Sequence, residues 1–406
     1  MNPSQHINRT FLIILLGILA ALGPFTIDMY LPGFGKIAED MNTDEKHVAF
    51  TLTSYFIGIA VGQLIYGPIV DKYGRKKPLI TGLLIYVGAS LACALSPNIE
   101  SMILMRLLQA LGGCVGMVAT NAIISDVYPA HERAKAFSSI MLVMGVAPLI
   151  APSAGSFFLE FRGWAYIFYF LSLFSAIVIA LIFFFLPETS RYMHNNKLKI
   201  RQISADYLSI LKNRTFLAYT IAGSISMSVL FAYISSSSFI FITIYKVDNT
   251  TFSIIFAINA LGLIIGSYLN GILTKSVNYI RIAHIASVIL SILSLAIVLL
   301  ILLMPGLDYW WLVVCVFSIL FLIGFINPNA TAASLVPFTA RAGTASALGG
   351  AIRMGVGALV AALIGIFQGN NAHTMFITIL ILAWVAMVLL KAAPKVERNA
   401  REAVNS

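Results

Sequence analysis

The stretch GPIVDKYGRKK, Gly67 to Lys77, lies between two long apolar runs and carries the charge that those runs lack. A short segment holding Asp71, Lys72, Arg75, Lys76 and Lys77 cannot sit in hydrocarbon, so it is expected to be a tight turn between two membrane spans. Gly74 stands where a left-handed backbone is cheapest, and Gly67 with Pro68 thins and bends the end of the preceding helix. Asp71, about one helical turn before Arg75, can accept hydrogen bonds from Arg75 or from the start of another helix, where the partial positive charge favours an anion. The same residues also fit a plain basic anchor with turn glycines, and taken alone the turn does not choose between the two.

Composition supplies the context. Of 406 residues, 59% are hydrophobic and only 10% charged, where soluble domains carry about a quarter charged. The mean hydropathy of +0.92 agrees, and the chain reads as an integral membrane protein with many spans. On a soluble domain a net charge of +10 would suggest nucleic acid; here the positive residues cluster in alternate loops, as membrane orientation requires, and nucleic acid is not an expected partner. Cys93, Cys114 and Cys315 fall inside apolar runs and read as small hydrophobes, with neither a disulfide framework nor metal-ligand spacing. The first apolar run, after Arg9, is too long and polar-ended for a secretory signal and is read as a retained helix.

Runs long enough to cross a bilayer are expected at 11–32, 47–70, 77–96, 100–125, 133–159, 164–186, 215–243, 251–274, 280–304, 309–335, 342–367 and 372–391. Of the 26 lysines and arginines, Arg106 and Arg353 lie inside runs and only Lys36, Lys46, Arg162 and Lys246 fall on one side; all the others share the other side with both termini. By the positive-inside rule both termini are cytoplasmic. The polar stretch 188–214 separates an N-terminal six-helix bundle (1–187) from a C-terminal one (215–406), and its basic residues suit a cytoplasmic linker lying on anionic headgroups. An offset of 204 residues sets Gly67–Gly74 against Gly271–Asn278, with Asn278 expected at the left-handed position and no counterpart to Asp71. Two parallel repeats suit a transporter whose bundles rock about a central site.

Glycine, three residues, aspartate, two residues, then Gly74-Arg75-Lys76 resembles the signature loop of the major facilitator superfamily. IDMYLP (27–32), LMRLLQALGG (104–113), APLIAPSAG (147–155) and AGTASALGGAIR (342–353) narrow the resemblance to the twelve-span drug:proton antiporters of the bicyclomycin/chloramphenicol-resistance (Bcr/CflA) family. It covers nearly the whole chain. It implies an all-α integral membrane protein of the major facilitator fold, twelve transmembrane helices in two pseudo-symmetric six-helix bundles, acting as a monomer in the bacterial inner membrane.

Asp28 is the one acid well inside an apolar run, which makes it the leading candidate for a proton carrier. It follows Gly23-Pro24, which should kink the helix, and burial and wetting act oppositely on its charge, which supplies a switch. The alternative is a solvated helix end in the outer third of the membrane. Arg106 and Gln109 share one helix face in the fourth run; the resemblance implies that Arg106 takes part in proton coupling with the acid of the first span, while a fixed structural charge is the alternative. Gly145, Pro148, Pro152 and Gly155 recur every three or four residues, a bendable, smooth face that in the resembled antiporters packs the two halves together; Ala151 and Ser156 stand where glycines are usual there. Helix packing through small residues explains it too.

Tyr30, Gln109, Asn327, Asn329 and Arg353 are candidates for the substrate cavity, as is the run Ser235–Ser238, although serine and asparagine also glue helices. Asp126, Glu132 and Arg133 are expected near the signature loop. There is no phosphate loop and no metal-ligating cluster, so neither ATP nor a cofactor is expected. The partners are protons, a small amphipathic substrate of the chloramphenicol or bicyclomycin kind, and the lipid bilayer. The rivals are an exporter of one metabolite, such as a sugar, nucleoside or amino-acid derivative, and a membrane-embedded acyltransferase, whose paired His/Asp or Ser/His groups are not found.

Overall fold

The structure, a computed structural model, describes residues 9–128, 130–190, 200–304, 306–367 and 372–394. Among them every regular element is helical: α1 (Arg9–Asp28), α2 (Phe34–Asp40), α3 (Glu45–Tyr73), α4 (Lys76–Ala94), α5 (Ile99–Gly113), α6 (Val115–Val127), α7 (Ala130–Arg162), α8 (Ala165–Phe185), α9 (Ile200–Leu211), α10 (Arg214–Ser238), α11 (Asn249–Leu273), α12 (Tyr279–Leu303), α13 (Tyr309–Leu335), α14 (Ala342–Phe367) and α15 (His373–Ala392). Twelve stretches are long and apolar enough to cross a membrane, at the twelve places expected from the sequence. The first runs further than expected, from α1 through the 3₁₀ turn Leu31–Gly33 and on through α2, while the fourth is α5 and α6 meeting at Cys114. The seventh closes with a π-helical turn, Phe239–Ile244.

Helix ends at a membrane edge still need partners for their first N–H groups, and short polar side chains supply them. Asp44 accepts from His47 N at 2.9 Å, Asn98 from Ser101 N at 2.9 Å, and Asp308 from Trp310 N at 2.9 Å. Asn278 belongs to this group. The expectation of a left-handed backbone there is corrected: its φ is −61°, and its side chain caps α12 by accepting from Ile280 N and Arg281 N. Asparagine serves both purposes, and here capping prevails. The segment expected as a polar linker contains α9, with Ile210 fully buried and Leu208 exposed.

The described residues form two compact units. The first takes those up to 190 together with Ser237–Ala257 and Ala361–Ile366; the second takes the remainder. Within the first, α3 packs on α5, α4 on α5 and α8, and α1 on α7 and α8; within the second, α12 packs on α13 and α15. The repeat extends to the seams. A Cβ at Gly58 would stand 2.7 Å from Leu107 O on α5, and one at Gly262, 204 residues later, would stand 2.7 Å from Phe317 O on α13. Both copies bring backbone against backbone through a missing side chain.

Candidate functional site

At the signature loop, Gly74 has φ 84° and ψ −179°, a region open essentially to glycine alone. The turn leaves the first N–H groups of α4 without an acceptor of their own, and Glu188, just after α8, fills the gap: it accepts from Arg75 N at 2.8 Å and Lys76 N at 3.1 Å. A Cβ at Gly74 would come within 2.5 Å of that carboxylate. The Arg75 side chain donates to Asp71 at 2.9 Å, to Val70 O at 2.7 Å and to Asp126 at 2.8 Å. Burial acts against its charge, but the bond and charge of Asp126, with Asp71, outweigh it and hold the guanidinium above its ordinary pKa. Asp126 thus reaches the loop. Glu132 instead pairs with Arg9 at 2.7 Å, and the side chain of Arg133 lies outside the described residues. Gly67 and Pro68 lie in the last turns of α3.

Deeper in the same unit, Arg106 is fully buried. Its Nη1 donates to Gln109 Oε1 at 2.7 Å and to Thr26 O at 3.2 Å, while the rings of Tyr30 and Tyr55 stand 4.3 and 4.4 Å from its guanidinium carbon and that of Phe168 at 5.7 Å. Among the described residues no acid pairs with it and its Nε and Nη2 make no hydrogen bond, so the aromatic faces are what offset part of the charge. Gln109 is held in turn by Ser90 at 2.8 Å, and Tyr30 by Thr51 at 3.0 Å. Tyr30 and Gln109, expected on the cavity wall, are fully buried and build the cage around Arg106. Beside the cage a cavity of about 20 Å³, room for one water, is lined by Leu22, Gly23, Tyr55, Ile59, Cys114 and Met117.

Asp28 ends α1 with 4% exposure, so it is a buried helix end and not a solvated one. Its Oδ1 has no hydrogen-bond partner, and among the described residues no ion pair joins it to Arg106 or to another cation. The two are connected through backbone: Thr26, two residues earlier, gives its carbonyl to Arg106. On the next residue, Met29, α7 makes its tightest approach, through Gly155. Pro152 is buried and Gly145 and Pro148 half-buried along the same helix. Ser156, standing where the resembled antiporters have glycine, bonds Asn249 O at 3.2 Å and Ser253 Oγ at 2.9 Å at the start of α11.

In the second unit, Asn329 is helix glue: its Nδ2 donates to Asn270 Oδ1 at 2.7 Å and to Phe325 O at 2.8 Å. Arg353 donates from Nη2 to Thr331 Oγ1 at 2.7 Å, and its Nε has no partner. Asn327 donates to Met227 Sδ at 3.0 Å and leaves Oδ1 unpartnered. Ser235 and Ser236 are buried as well, as are Ser237 and Ser238 of the first unit.

Sequence reasoning missed Thr26, Ser90 and Tyr55 around Arg106, Glu188 at the loop, and Asn270. The polar members were visible as lone polar residues in apolar runs, and Glu188 as the acid closing the sixth run; the partner of each was not.

With this geometry in view, the comparisons agree. Residues 14–362 match the model of the Major Facilitator Superfamily. The chain is 35% identical to an uncharacterized MFS-type transporter, YdgK, of Bacillus subtilis, over 94% of this chain and 95% of that one. It is 34% identical to a bicyclomycin resistance protein homolog of Haemophilus influenzae, over 91% and 92%. A bacterial homolog of the human lysosomal transporter Spinster superposes with a TM-score of 0.75 over 97% of both chains at 15% identity, which shows the shared fold. The chain belongs to the Major Facilitator Superfamily and, within it, to the bicyclomycin/chloramphenicol-resistance family its motifs resemble. It is a multi-pass membrane transporter and not an enzyme.

Proposed function

We propose that this protein exports small amphipathic drugs across the bacterial inner membrane in exchange for protons, by alternating access, as a monomer with both termini in the cytoplasm and no cofactor. The observation that carries the reading is Asp28: an acid buried in the first span, paired with no cation among the described residues, two residues from the carbonyl bonded to Arg106 and one residue from the seam with α7. Intramembrane acids of this kind mark proton routes. The name of the Haemophilus influenzae relative supports a drug as the cargo.

The energetics suffice. At about 2.3 kcal/mol per charge per 100 mV, a proton-motive force on the order of 150 mV supplies about 3.5 kcal/mol. That sustains a gradient of roughly 300-fold for one neutral molecule per proton. The test is uptake of labelled chloramphenicol into inverted membrane vesicles under an imposed pH gradient, for wild type and Asp28→Asn. Gradient-dependent uptake that vanishes in the variant is expected. Equal uptake by both would make Asp28 a bystander, and no uptake by either would move the metabolite-export reading ahead.

A further inference from the structure

Of the two cations set within the described spans, Arg106 is fully buried and Arg353 half-buried, and their surroundings differ. Arg106 leaves its Nε and Nη2 without hydrogen bonds but has two aromatic faces within 4.4 Å, a carbonyl and an amide. Among the described residues Arg353, midway along α14, has one neutral hydroxyl, Thr331 Oγ1, and no aromatic face in reach. Among the described residues no carboxylate pairs with it, and its buried Nε has no acceptor. A charge at this depth calls for an acceptor.

Thr331 fixes where one would go. Its hydroxyl accepts from Arg353 and spends its proton on Asn327 O at 2.9 Å, which ties the guanidinium to Asn327. The Asn327 side chain is itself underused: Nδ2 meets only the thioether of Met227, a weak acceptor, and Oδ1 meets nothing. A free guanidinium donor and a loosely held amide thus flank one threonine. A planar group with two oxygens can accept from the guanidinium fork and from Asn327 Nδ2, whose thioether partner is weak, while Oδ1, itself an acceptor, is left for a hydroxyl or water.

We propose that Arg353 and Asn327 form a binding site for a carboxylate or nitro group of the transported molecule, so that the protein selects acceptor-bearing compounds over cationic ones. This rests on the efflux reading above and names its substrate class. The test is equilibrium binding to the purified full chain of three probes: chloramphenicol (nitro), norfloxacin (carboxylate) and ethidium (a cation). Arg353→Met is expected to weaken the first two about 10- to 100-fold, as for loss of hydrogen bonds to a charged group, and to tighten ethidium. Arg353→Lys, which keeps the charge without the fork, should fall between wild type and Arg353→Met for the first two probes. Equal weakening of all three probes, or no change in any, would overturn the site while leaving efflux intact. A wild type that binds none of them overturns both readings.

Discussion

Gly155 on α7 and Met29, the residue after Asp28, meet backbone to backbone: a Cβ added at Gly155 would overlap the Met29 carbonyl oxygen. A carbonyl held in a helix-end turn cannot swing aside as a side chain can, so the two helices must separate. Gly155→Ala is expected to destabilise the protein by about 1–3 kcal/mol, the usual range for overpacking, and to lower gradient-driven uptake by displacing the turn that carries Asp28. Melting in detergent checks the first effect and vesicle transport the second. A variant that melts with wild type would mean that the seam yields.

The signature motif points to Asp71, yet geometry places the stronger bond of Arg75 elsewhere. The Asp71 side chain is 76% exposed, against 18% for Asp126 and 12% for Arg75. Asp71→Asn should therefore cost under about 1 kcal/mol, and Asp126→Asn about 3 kcal/mol, the low end of what breaking a buried pair costs. Thermal melts of the two variants decide the order, and the reverse order would refute it.

Gly74 and Glu188 should be energetically coupled. Gly74→Ala suffers from a positive φ, at about 1–3 kcal/mol, and also from contact with the Glu188 carboxylate. Glu188→Ala removes the cap of α4, at about 0.5–2 kcal/mol. In the double variant the contact is gone and only the strained φ and the lost cap remain, so the double variant should be more stable than the sum of the single effects predicts. Strict additivity in a double-mutant cycle would count against the contact.

How far the fold could be read in advance depends on the range of each interaction. The twelve spans were legible because hydrophobic length is a local property, and Gly74 because a tight turn between charged residues needs a positive φ. Arg106 stood out as a charge in an apolar run, but its cage did not: Tyr30 and Tyr55 are ordinary residues in a span until the fold brings both to one guanidinium. Asn329 could equally face a substrate or a neighbouring helix, and only its partner Asn270, 59 residues away, settles that it joins α11 to α13. Asn278 was misread because the same side chain suits a left-handed turn and a helix cap.

The two repeats also solve the start of a helix differently, and that difference has a direction in time. Asn278 caps α12 from within its own loop, so that helix is closed as soon as its first turn has been made. The corresponding helix of the first repeat depends on Glu188, 113 residues after Arg75 in the chain. At roughly 5–20 residues per second of synthesis, the turn at Gly74 waits roughly 6–20 seconds for its last partner. The loop is finished only once the sixth span has been made, whereas its counterpart in the second repeat is complete almost at birth.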